Sequence, residues 1–116
     1  MNISFQGIGA RIVTVKASGN LKKGNLCYFN VNKTVAPCAS GAGFSGKVIE
    51  VYDDGSASVQ IGGFIEVPYT DATPMSTLDL QSLVCTDAGS VHRDAGGRKY
   101  LVVSQDTKNK TLGIML

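Results

Sequence analysis

At 116 residues the chain is long enough for one core and too short for a two-domain enzyme. Charged residues make up 17% and the net charge is +2, with Lys and Arg scattered singly except at Lys22-Lys23 and Arg98-Lys99, which excludes the basic stripe of a nucleic-acid binder. The cysteines, Cys27, Cys38 and Cys85, are odd in number and far apart, so a disulfide framework is not expected and a reducing compartment is.

The first ten residues, "MNISFQGIGA", place Phe5 and Ile8 among glycines and read as a flexible arm; they lack a basic stretch followed by an apolar run, so a soluble, non-secreted protein is expected. From Arg11 "RIVTVKA" alternates as a strand. A turn-rich connection, "SGNLKKGN", leads to a second strand at 26–31, the polar turn Asn32-Lys33 and a short "TVAP". Next comes "GAGFSG", a literal match to the glycine fingerprint of dinucleotide sites. That fingerprint works only where the glycines open a helix whose N-terminus meets the pyrophosphate, and here β-branched residues follow. A mobile connecting loop is the expectation, with no cofactor.

Residues 48–52 and 57–67 read as strands joined at Asp53-Asp54-Gly55, because Asp-Gly between apolar runs supplies the positive φ of a hairpin turn. In the second run Ala57, Val59, Ile61, Ile65 and Val67 share one parity, and Gly62-Gly63 reads as a bulge or bend within it. Residues 68–79, with two prolines, have no clear period and read as a connection over the barrel. "STLDLQSL" offers one helical turn capped by Ser76 and Asp79, or a strand lead-in. Strands then follow at 83–86, 90–93, 99–105 and 111–116, separated by "DAG", "DAGG" and "DTKNK". The whole predicts an all-β, single-domain barrel or sandwich of short antiparallel strands over 11–116. Residues 26–61 and 83–116 share an order of strands and turns, a faint internal echo.

The chemical candidates are sparse. Cys85 and His92 with Asp87 or Asp94 can be written as a catalytic set, and Cys27, Cys38, Cys85 and His92 as zinc ligands, but neither has the spacing of a compact site. Asp53 and Asp54 sit at a solvated turn tip, unsuited to a raised pKa. Phe29, Tyr52, Phe64 and Tyr69 could stack on bases, yet only Lys33 and Lys47 lie between them, too few for a basic groove. No catalytic, cofactor or metal site is expected.

"LKKGNLCYFNVNKTVAP", "GKVIEVYDDGSASVQIGGFIEV", "LVCTDAGSV" and the closing "LGIML" together resemble the small capsid decoration, or cement, proteins of tailed bacteriophages and prophages. The likeness spans about Val13 to Leu116 and departs at Gln81-Ser82, where the family has a second glycine turn, and in the longer proline-rich connection. It implies a structural virion protein, made in the bacterial host cytoplasm. Such a protein binds the outer face of a shell of major capsid protein, commonly as a trimer, with no nucleic acid or membrane partner. A non-viral β-barrel adaptor or single-strand-binding module is the alternative. Phe5, Ile8, Arg11, Asp53, Asp54, Tyr69, Lys108 and Lys110 are the candidate capsid or oligomer contacts, with the arm adding a strand to a capsid edge.

Overall fold

The computed structural model describes residues 10–30, 34–75 and 77–116. Ten strands run in chain order: β1 (Arg11–Ala17), β2 (Leu26–Phe29), β3 (Thr34–Pro37), β4 (Gly46–Val51), β5 (Ser56–Gly62), β6 (Phe64–Pro68), β7 (Asp79–Asp87), β8 (Ser90–Arg93), β9 (Arg98–Asp106) and β10 (Thr111–Met115). Among the described residues there is no helix. The protein is all-β, as composition and period predict. Ser76, the proposed cap, lies outside the described residues; from Asp79 the stretch that hinted at a helical turn is the start of β7, where the Asp79 carboxylate accepts from the adjacent Leu80 N–H (2.8 Å).

The strands fall into two sheets. β1 to β5 close a barrel in the order β1-β3-β2-β4-β5, and β6 to β10 form a second sheet in the order β6-β10-β9-β7-β8. The division lies at Gly63, a single residue with φ +84° between β5 and β6. That conformation suits only glycine without strain. Sequence reasoning reads Gly62-Gly63 as a bend within one strand; it is the point where the chain leaves one sheet for the other. The irregular 68–79 connection instead lies within the second lobe. There Met75 is buried and its backbone exchanges hydrogen bonds with the Gln105 amide (2.7 and 2.9 Å).

Both sheets follow one path. β1 pairs with β5, β5 with β4, β4 with β2 and β2 with β3, all antiparallel, and β3 returns to β1 in parallel. β6, β10, β9, β7 and β8 repeat that antiparallel series, and a parallel bridge from Tyr69 to Val91 stands where β1 meets β3. The correspondence extends to single bonds. Ser18 N–H donates to Val35 O (2.7 Å) as Thr70 N–H does to Val91 O (3.0 Å), and Ala17 N–H to Gly55 O (2.8 Å) as Tyr69 N–H does to Lys110 O (3.0 Å). Gly55 and Lys110 end the two equivalent hairpin turns, both at positive φ. One extra residue bulges at the same place in each hairpin, Ile49 beside the Val48/Val59 pair and Val103 beside Val102/Ile114. The faint echo in the sequence is therefore a tandem repeat of one five-stranded unit.

Alternation fills each lobe. Leu21, Cys27, Val35, Val48, Ala57 and Val59 pack inside the first barrel. Ile65, Val67, Leu83, Cys85, Val91, Tyr100, Val102, Leu112 and Ile114 form the second core, which also takes in Leu26, Cys38 and Phe44 from the first lobe. Those three residues make the two lobes share a core. Backbone bonds reinforce the junction: Leu26 N–H to Ala88 O, Gly41 N–H to Cys85 O and Cys85 N–H to Ala42 O (2.6 to 2.9 Å).

Candidate functional surface

The glycine-rich loop of residues 38–45 is the first place to test for a ligand site. It leads into β4, not a helix, so no helix dipole faces it. It is also pinned rather than mobile, which corrects the sequence expectation. Phe44 is 2% exposed and stacks on Tyr100 (centroids 4.6 Å apart, planes within 5°), and the Tyr100 hydroxyl donates to Phe44 O at 2.7 Å. At Gly46 an added Cβ would come within 2.7 Å of Gln60 O and a Val59 methyl. Gly46 therefore allows close backbone packing, whereas Gly41 serves a turn at φ +77° and Gly43 has open space around it; Phe44 carries the loop into the second lobe's core.

The cysteines meet at this junction. Cys38 donates its thiol to Gly43 O (3.0 Å) and lies beside both Cys27 and Cys85. Burial, reinforced by Cys38, pushes the Cys27 thiol up to about 12. Burial first, then the hydrogen bond with Cys38, drives Cys85 up as well. Neutral, buried thiols are poor nucleophiles and poor metal ligands. His92 lies on the other face of the sheet: Cys85 pairs with Val91 toward the core, and the His92 ring turns away to Thr86 Oγ1 (2.8 Å). The Cys85/His92 pair therefore does not form. Among the described residues no group of three His, Cys, Asp or Glu side chains is placed to hold a metal ion.

The candidate contact residues separate clearly. Phe5 and Ile8 lie outside the described residues. Arg11 is exposed and its aliphatic stem lies against Gly62. Asp53 and Asp54 occupy the exposed tip of the β4–β5 hairpin, and Lys108 and Lys110 the equivalent tip of the β9–β10 hairpin, so the repeat puts an acidic pair and a basic pair at matching positions of the two lobes. Hydrogen bonds from the Ser56 hydroxyl (2.6 Å) and N–H (2.9 Å) hold the Asp54 carboxyl below its ordinary range. Tyr69 is a correction: it is 5% exposed, packed in the second core with Lys110 Nζ over its ring at 5.4 Å. Its place beside Pro68 in an aperiodic stretch hides that it extends β6.

The surface feature that sequence reasoning misses is apolar. Ile12, Tyr28, Phe29, Ile49, Tyr52, Ile61, Leu78, Leu80 and Leu101 are large and exposed. Leu80 pairs across the sheet with Leu101, and Leu101 with Met115, giving a register-matched row on the outside of the second lobe. Leu78 extends it, held at φ +55° by its N–H bond to Val102 O (2.6 Å). The signal was present as Leu78 and Leu80 on either side of Asp79, and as an unbroken "YLVV" where one parity must face out. Beside Leu80 the surface dips into a shallow depression lined also by Gln81, Ser82, Arg93 and Asp94.

No family model matches the chain, and no curated protein or solved structure is significantly similar to it.

Proposed function

We propose that the protein is a structural virion component that binds the outer surface of a bacteriophage capsid and stabilises the shell. The observation that carries this reading is the set of large apolar side chains left exposed on a small, all-β molecule of low charge. Contiguous exposed apolar surface marks macromolecular contact, and a clamp needs rigidity and complementary shape rather than a tuned pKa. The resemblance of the strand and turn order to capsid decoration proteins supplies the partner class, the major capsid protein, and an oligomer of the trimeric kind.

Co-sedimentation with capsid shells prepared without the protein tests the reading. Binding that saturates at a fixed ratio to the capsid subunit is expected; no binding to unexpanded or expanded shells overturns it. Deleting residues 1–10 is expected to leave the strands folded and to weaken shell binding sharply, and unchanged binding removes the arm from the proposal.

A further inference from the structure

The tandem repeat makes one lobe a guide to the other. On the first lobe the outward row Gln60, Lys47 and Leu26 is covered by the second lobe. Gln60 Nε2 donates to Phe64 O (2.9 Å), Lys47 Nζ donates to Glu66 O (2.7 Å), and Leu26 is buried in the second lobe's core. Strand register equates these positions, through the β5/β10, β4/β9 and β2/β7 pairings, with Met115, Leu101 and Leu80. The equivalent row on the second lobe is thus uncovered by any of the described residues, and it is more apolar than the row that is covered. Leu80 is 56% and Leu101 36% exposed. The depression beside Leu80 lies where the first lobe carries its junction loop.

Among the described residues the complementary face is open too. What covers the first lobe is β6 and the end of β7 around Cys85, past the last β7–β9 pair at Leu83 and Arg98. The β1–β5 and β6–β10 pairings equate Phe64 with Ile12, and the β2–β3 and β7–β8 pairings equate Cys85 with Phe29, β7 holding two residues more than β2 between Leu80 and Cys85; Phe29 lies past the last β2–β4 pair at Cys27 and Gly46. Ile12 is 57% and Phe29 41% exposed. Each unpaired face of the chain is therefore the counterpart of a face already paired inside it. Two faces that differ and fit each other make a head-to-tail interface, which grows into a ring or a filament rather than a two-fold dimer.

We infer that the Leu80–Leu101–Met115 row of the second lobe docks onto the Ile12 and Phe29 face of the first lobe of a second copy of this chain, repeating between molecules the lobe contact made within one. The inference rests on the fold alone, not on the capsid reading, and is tested without shells.

Light scattering of the full-length protein is expected to give a species larger than a dimer. Leu80→Glu, which blocks one face, and Ile12→Glu, which blocks the other, are each expected to be monomeric with an unchanged far-UV circular dichroism spectrum. An equimolar mixture of the two is expected to form a heterodimer, because each variant keeps the face that the other has lost. Should Leu80→Glu misfold, Leu101→Glu takes its place, setting a carboxylate where the first lobe carries the Lys47 that donates to Glu66 O. A wild type that is monomeric or a simple dimer, a folded variant that still assembles, or a mixture that stays monomeric overturns the inference.

Discussion

Replacing Phe44 by Ala tests whether the two lobes fold as one. The ring is 2% exposed, lies flat on Tyr100 at 4.6 Å and belongs to the second lobe's core although it is carried by the first. Removing a buried phenyl costs about 3–5 kcal/mol through lost transfer energy and the cavity left behind. Against a total stability of about 5–15 kcal/mol for a domain of this kind, that is a large fraction. Tyr100→Phe keeps the ring but leaves Phe44 O without its 2.7 Å donor, at a cost of about 1–3 kcal/mol. Urea unfolding followed by circular dichroism and by tyrosine fluorescence, with no tryptophan to obscure it, measures both. The two probes are expected to report one coincident transition in the wild type, shifted to lower urea by each substitution and more by Phe44→Ala. A loss below about 1 kcal/mol for Phe44→Ala, far short of a buried phenyl, would refute the shared core.

Two further outcomes follow from the site chemistry. Cys27, Cys38 and Cys85 are buried, with Cys27 pushed up to about 12, so thiol reagents at neutral pH are expected to label the protein only at its rate of opening. Fast stoichiometric labelling of native protein contradicts the packing at the junction. Asp54, Asp87 and Asp106 all have carboxyls held low by hydrogen bonds from their own turns, led at Asp87 by Gly89 N–H (2.7 Å) and at Asp106 by Asn109 N–H (3.1 Å). A folded pKa below the unfolded one gives stability that is present above about pH 4 and lost as pH falls through the folded value. Melting temperatures are expected to drop on that acid limb, less steeply in Asp87→Asn; an unaltered limb in the variant counts against the turn bonds.

Local features of the fold were readable because they are set by neighbours in sequence. Alternation from Ala57 to Val67 and the Asp53-Asp54-Gly55 turn both fix a hairpin without reference to the rest of the chain. What escaped is non-local. Gly63 preserves the alternation on either side of it, so parity gives no sign that the chain changes sheets there. The repeat is hidden because equivalent positions share burial and register, not identity: Ala57 matches Leu112, and Val59 matches Ile114. Phe44 and Cys38 sit in a glycine-rich stretch and read as loop, yet each has a core partner far along the chain, Cys85 for Cys38 and Tyr100, 56 positions onward, for Phe44. The outer leucine row was masked for the opposite reason, since residues apolar on both parities do not say which face is buried.

The one-residue link at Gly63 also orders events during synthesis. Every strand partner of the first barrel lies before that glycine, so the barrel's pairings are all available once residue 62 has left the ribosome. Its Leu26, Cys38 and Phe44 then have nothing to enter until the remaining strands follow. At about 5–20 residues per second that interval lasts roughly 3–10 seconds. During it the nascent first lobe carries a greasy, half-finished junction, and chaperones have their clearest opportunity to bind there.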